Sequence, residues 1–213
     1  MVHRLIYIAQ HRPDMEAQAR KAIAGAQHPA SVIVMTVHRF RRNLFFYYEC
    51  DGISIEPDAL FPGLIPYLEP VPCGEEPRHF AQMMDIFHYH VPGETSTWRK
   101  DNAGEPWPRL VYLKPDMYAS YIFYHWQLQE EQPGNGPKYG VIAAHENLLY
   151  FYLERPFVQE TTDYPGKLAT KNTPGGWGPL MDQHFIPWTG VADDQKYWRE
   201  DLELLFNARH QFG

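Results

Sequence analysis

"RLVYLKPDMYASYIFYHWQLQEEQPGNGPKYGVIAAHENLLYFYLE", residues 109–154, carries a strand, a helix and a hairpin in one continuous stretch. The apolar run RLVYLK reads as a strand, because branched and aromatic side chains fit a pleated, half-buried surface. Pro115-Asp116 then opens a helix, with Asp116 expected at its N-cap. No Gly or Pro interrupts residues 117–132, and the PGNGP turn at 133–137 ends the run. YGVIAA and NLLYFYLE follow, separated by polar residues, and read as an antiparallel pair.

The first half of the chain repeats this pattern. RPDM at 12–15 returns as KPDM at 114–117, RRNLFFYYE at 41–49 as HENLLYFYLE at 145–154, MMD at 83–85 as LMD at 180–182, and WRKD at 98–101 as WRED at 198–201. The spacings are 102 from Pro13 to Pro115, 104 from Asn43 to Asn147, 97 from Asp85 to Asp182 and 100 from Trp98 to Trp198. Their common order points to a tandem duplication of a unit of about 100 residues. The expected units are residues 1–105 and 106–213.

Within each unit the predicted order is strand, helix, hairpin, helix, strand. Asp14 is expected to cap the first helix as Asp116 caps its counterpart. HFAQMMDIFHYH at 79–90 and WGPLMDQHFIPW at 177–188 are expected to form a short helix and loop, each followed by a closing strand. This is the split βαβ, ferredoxin-like order, an α+β fold whose antiparallel sheet carries both helices on one face. The other face is left bare. Two such units in one chain are expected to bury those faces together, as an intramolecular version of a dimeric α/β barrel.

The bulk composition narrows the partners. A net charge of -7 argues against a nucleic-acid or anionic-membrane footprint, and the one basic cluster, HRFRR at 38–42, reads as a solvated hairpin turn. No run of about 18 apolar residues occurs, and the N-terminal stretch lacks the apolar core of a secretion signal. A soluble, cytoplasmic chain is expected, a monomeric pseudo-dimer or a further homo-oligomer. Cys50 and Cys73 show no C-x-x-C spacing and read as reduced, structural thiols.

Met117, Tyr121 and His125 fall four apart and share one helix face. The repeat alignment sets Ala19 opposite Tyr121 and Ile23 opposite His125, so the first unit carries plain core residues where the second carries a phenol and an imidazole. A catalytic pair in the second copy, with the first copy as scaffold, is the expectation. His88, His90 and His184 invite a metal reading, but a lone His-x-His supplies too few ligands, and no metal or cofactor is expected. NTPGGWGP at 172–179 lacks the Lys-Ser/Thr of a phosphate loop and reads as a loop flanking the site. The proline-rich connection at 56–77 is expected either to pack across the barrel or to guard one mouth.

LKPDMYASYIFYHW, KYGVIAAHENLLYFYLE and WGPLMDQ, taken together, resemble the L-rhamnose mutarotase family, small ferredoxin-like proteins that pair as dimeric α/β barrels and interconvert sugar anomers. The likeness covers most of residues 109–206 and more faintly 3–99. It implies that Tyr121 contacts substrate, that His125 is the proton donor, that Tyr139 is the Tyr opening the next strand, and that Trp177 is the second member of a Trp pair. Anomer exchange moves one proton to the ring oxygen and another from the anomeric hydroxyl, work suited to His and Tyr without a metal or organic cofactor. Two departures stand out. Gly176 replaces the first Trp, and QLQEEQPGNGPKYG shortens the path from helix to Tyr139. The expected function is therefore mutarotation of a monosaccharide related to, but not necessarily, rhamnose. The alternatives are a non-catalytic carbohydrate- or small-molecule-binding protein and a cofactor-free monooxygenase or haem-handling protein of the same barrel architecture.

Overall fold

VHRLIYIAQ, residues 2–10, alternates too little to be a strand with a wet face, and it lies in the middle of a sheet. In the computed structural model, which describes residues 1–72, 77–99 and 104–210, seven of its positions are buried or partly so. The chain runs β1 (Val2–Gln10), α1 (Glu16–Ala24), β2 (Val32–Phe40), β3 (Asn43–Asp51), α2 (Pro57–Leu60), β4 (Ala81–Gln82), β5 (Met84–His88) and α3 (Thr95–Trp98). It continues through β6 (Glu105–Pro106), β7 (Arg109–Leu113), α4 (Tyr118–Glu131), β8 (Val141–His145), β9 (Leu148–Tyr152), β10 (Glu154–Arg155), α5 (Trp177–Asp182), β11 (Phe185–Ile186) and β12 (Glu203–Arg209). The fold is α+β with antiparallel sheets, compatible with the ferredoxin-like expectation.

The first compact unit holds residues 1–72, 77–83, 92–99 and 202–210. Its sheet has the order β12-β2-β3-β1-β4. Leu5, Tyr7, Val37, Leu44, Phe46 and Tyr48 build one face, against which Ala19 and Ile23 of α1 are packed. The proline-rich connection packs on that same core through Leu60, Phe61, Leu64 and Leu68, each 1% exposed or less. Of the basic cluster expected to form a solvated turn, only Arg41 and Arg42 make the tight turn between β2 and β3, with Arg41 at φ 56°, whereas His38 to Phe40 belong to β2 and His38 is buried. Cys50 is a buried free thiol, and Cys73 lies outside the described residues.

The second unit holds residues 84–91 and 104–201, with sheet order β11-β7-β9-β8-β5. Both sheets thus contain a strand from the other half of the chain. β5 pairs with β8 through Met84↔Ala144 and His88↔Val141, and β12 pairs with β2 through Glu203↔Arg39 and Arg209↔Val34. The division expected near residue 105 kept these two segments with their own halves. An edge strand is chosen by which unpaired backbone groups lie within reach, and that is not encoded locally.

Other local expectations fail for similar reasons. Residues 81–88 form strands and not a helix, because they satisfy the edges of β1 and then of β8. Met84 and Asp85 of MMD therefore lie in β5, with Met83 between β4 and β5, while LMD ends α5, and the two are not structural equivalents. The expected N-caps are absent as well. Asp14 sits at φ 62°, two residues before α1, and Asp116 lies within a single 3-10 turn, Pro115–Met117, with no side-chain cap at either helix.

One buried ion pair anchors the first unit. Glu49 in β3 and Arg99 after α3 are both fully buried, with Arg99 Nη2 2.5 Å from Glu49 Oε1 and Nε 2.7 Å from Oε2. Trp98 Nε1 donates to Oε2 at 3.0 Å, and the Tyr47 hydroxyl donates to Oε1. Burial alone raises the Glu49 carboxyl, but the Arg99 guanidinium beside it and these donors hold it below its ordinary value. Removing the cation strands a buried carboxylate, so Arg99→Leu is expected to lose about 3–5 kcal/mol in urea unfolding. The double variant Glu49→Leu/Arg99→Leu should recover much of that loss, and a double variant as unstable as the single would refute the assignment.

Candidate functional site

The register of the second sheet builds the floor of a cavity. Arg109 in β7 pairs with Phe151 in β9, Phe151 with Ile142 in β8, and Ile142 with Phe87 in β5. These four side chains form one row across the sheet and all line a cavity of about 250 Å³. Tyr121, His125 and Leu128 of α4 cover the row, with Trp177, Met181 and Asp182 of α5 and with Tyr89, Phe185 and Trp198 at the sides. The volume lies just below the roughly 300–1,000 Å³ of pockets for larger ligands, and suits a molecule of single-sugar size.

Helical spacing delivers Tyr121 and His125 together, as the sequence indicates. Both are buried, at 1% and 4% exposure, and their ring centroids lie 4.0 Å apart. Trp177 meets the His125 ring edge-on at 5.0 Å, and Phe87 does so at 5.3 Å. Tyr139 is different. It precedes β8, is 2% exposed, and is absent from the residues lining the cavity. Three of the four expected site residues therefore share one cavity. Arg109, Tyr89, Phe151 and Trp198 join them without having been expected.

The hydrogen bonding of His125 fixes its tautomer. Nδ1 lies 2.9 Å from the main-chain carbonyl oxygen of Tyr121, which can only accept, so Nδ1 carries the proton and Nε2 holds the lone pair. Burial pushes the imidazole down to about 4, opposed by that hydrogen bond and reinforced by His184. At neutral pH the ring is an uncharged acceptor. Burial acts the other way on Tyr121, raising the phenol well above its ordinary value, so that it stays protonated.

His184, near Tyr121 at a ring distance of 5.8 Å, is satisfied at both nitrogens. Nδ1 donates to the Leu180 carbonyl at 2.9 Å, and Nε2 lies 2.9 Å from Ser120 Oγ. His88 lies 3.1 Å from Asp85. No cluster of three or more His, Cys, Asp or Glu side chains able to hold a metal occurs among the described residues.

The approach to Trp177 is tied to the end of α4. Glu131 accepts from Thr170 Oγ1 at 2.6 Å, Asn172 N at 3.0 Å, and Thr173 N and Oγ1 at 2.7 and 2.6 Å. Desolvation raises this carboxyl, but the four donors outweigh it and hold it at about 2. Neighbouring Glu130 accepts from the Tyr164 hydroxyl and from Lys167 N at 2.9 Å. Gly166, at φ 76°, is needed where it stands, since a Cβ there would lie 2.1 Å from the Glu130 carbonyl oxygen. Gly136 is equally constrained, its Cβ position lying 2.2 Å from the Tyr89 ring.

No known family's sequence profile matches this chain, and no curated protein matches it significantly. A solved structure from Fusobacterium nucleatum subsp. nucleatum, provisionally described as a monooxygenase, aligns over 98% of this chain and 94% of its own. The pair share 8% identity with a TM-score of 0.42, a level that carries no inference about activity. No helix among the described residues is long and apolar enough to cross a membrane.

Two outcomes follow from the site. The unfolded chain protonates His125 near its ordinary 6.5 whereas the folded chain waits until about 4, so the stability contributed by the neutral ring is complete above 6.5 and is lost as pH falls through that window. The His125 ring resonances should stay in the neutral form at pH 5, and the fall in thermal midpoint from pH 7 to pH 5 should shrink in His125→Gln. A ring titrating near 6.5 would contradict the buried geometry. Separately, Glu131→Ala should speed amide exchange across residues 164–176 while leaving β7–β9 unchanged, as read by hydrogen exchange with mass spectrometry.

Proposed function

We propose that the second unit is a cofactor-independent mutarotase acting on a monosaccharide, with His125 and Tyr121 as its proton-transfer pair. The observation that carries this reading is their convergence, with Trp177, on one sugar-sized cavity. The resemblance of the same three residues to the L-rhamnose mutarotase pattern supports it independently. Duplication of an ancestral βαββαβ unit belongs to the same proposal, with the copy bearing Ala19 and Ile23 silent because it has neither acid nor base.

The resting proton arrangement suggests the order of events. The Nε2 lone pair of His125 takes the proton of the anomeric hydroxyl as the bond from C1 to the ring oxygen breaks. The Tyr121 phenol gives its proton to that ring oxygen. An open-chain aldehyde results, beside an imidazolium and a phenolate whose opposite charges offset part of the cost of holding either in a buried site. Rotation about C1–C2 and reclosure return both protons, so His125 is base in opening and donor in closing. Trp177 offers an aromatic face for the apolar C–H side of the sugar.

Exchange NMR on a panel of reducing sugars tests the proposal. The protein should accelerate anomer exchange of at least one sugar, and His125→Gln should lower kcat/KM for that sugar about 10²–10⁴-fold, the usual contribution of a positioned acid–base group. The rate should be flat across neutral pH and fall only as pH approaches 4, where Nε2 becomes protonated. A folded protein that accelerates no sugar in the panel removes this reading.

A further inference from the structure

The cavity contains a cation that mutarotation does not itself require. Arg109 opens β7, where strand alternation sets it in phase with Val111 and Leu113 on the core face, a place ordinarily taken by an apolar side chain. Rings surround it. The guanidinium carbon lies 4.8 Å from the Trp107 ring centroid, 5.0 Å from Phe151 and 5.1 Å from Trp198. Contacts of this kind hold a planar guanidinium by its faces and leave its hydrogen-bonding edge for a partner.

Among the described residues, that partner is not supplied in full. Nε of Arg109 is buried without a hydrogen bond. The carboxylate that approaches, Glu200, comes only to 4.0 Å of Nη1 and belongs to a side chain 45% exposed, a weak and screened pairing. Asp182 also lines the cavity, on an exposed position of α5, and forms no ion pair with Arg109. Burial pushes the guanidinium below its ordinary value, with Glu200 only partly offsetting this, as befits a cation short of countercharge. The Arg109 side chain is half-buried, and its buried, unpartnered Nε carries a desolvation cost that a bidentate oxyanion would relieve.

We infer that Arg109 anchors a carboxylate of the ligand, so that the cavity takes a sugar acid, of the uronate class, in preference to a neutral hexose. The inference rests on the reading of this site as a mutarotase and deepens it. In a pyranuronate the carboxyl carbon, C5, the ring oxygen and C1 are consecutive atoms. Arg109, Tyr121 and His125 line the same cavity, and the Tyr121 and His125 rings lie 4.0 Å apart. A carboxylate held at Arg109 thus sets the ring oxygen towards the Tyr121 phenol and the anomeric hydroxyl towards His125 Nε2, matching the proton transfers above.

The test uses the full chain with D-galacturonate and D-glucuronate, each beside its C6 amide, which keeps the shape and removes the charge. Titration calorimetry and exchange NMR are read together. At least one acid is expected to bind tenfold or more tighter than its amide, with the preference lost in Arg109→Gln and partly kept in Arg109→Lys. Equal affinity of acid and amide for the unaltered protein, including failure of both to bind, overturns the inference without recourse to any variant. His125→Gln should keep the preference while losing exchange. Acids that bind through Arg109 without anomer exchange leave the anion site standing and remove the mutarotase reading. Exchange of amides and neutral sugars as fast as of acids does the reverse.

Discussion

The register of β7, β9, β8 and β5 is the constraint on which the site depends. Side chains alternate across a strand, so a slip of one residue would turn Arg109, Phe151, Ile142 and Phe87 away from α4 together. What pins the register is burial. Val111, Leu113, Leu149, Ile142 and Ala144 form a continuous apolar face beneath the helix, and no shifted pairing keeps them all inside. The polar groups of the site are held in place by this apolar majority, whose burial supplies most of the favourable free energy.

Tyr121 and His125 were legible from their spacing and from the comparison of the two halves, whereas Trp177 was reached only through the family resemblance. Two residues four apart on a helix must share a face, and an adjoining unit with Ala19 and Ile23 at the matching positions marked Tyr121 and His125 as unusual. Arg109 was legible in principle, since it keeps step with Val111 and Leu113, but a charged residue at the mouth of a strand usually turns to solvent. Only the three-dimensional gathering of Trp107, Phe151 and Trp198 from separate segments shows why it does not. Tyr139 was expected beside Trp177 from the family resemblance, yet it follows the turn that packs Gly136 and Gly140 on Tyr89 and lies outside the cavity lining.

The fold was legible to the same depth. Hairpins and helices follow from local periodicity, and β1–β3 and β7–β9 fall where it sets them. Strand partners do not follow from it. Residues 81–88, with their methionines and aromatics, have no strong period of their own, and the edges of β1 and β8 impose extended structure on them. The electrostatics obey the same division. Glu49 and Arg99 are unremarkable in sequence and become a matched buried pair only after a chain reversal brings them together.

The exchange of edge strands also bears on how the chain is made. β2 presents its outer backbone edge as soon as the first sheet forms, but the strand that covers it, β12, follows only after β7 to β11 have been synthesised. Throughout that interval an open edge is available to another nascent chain, the situation in which sheet proteins cross-pair. Arg39 lies at that edge and later engages Glu203 of β12 with Nη2 at 2.9 Å from its carboxylate. A charge on an uncovered edge discourages the wrong neighbour, and the same charge then recognises the right one.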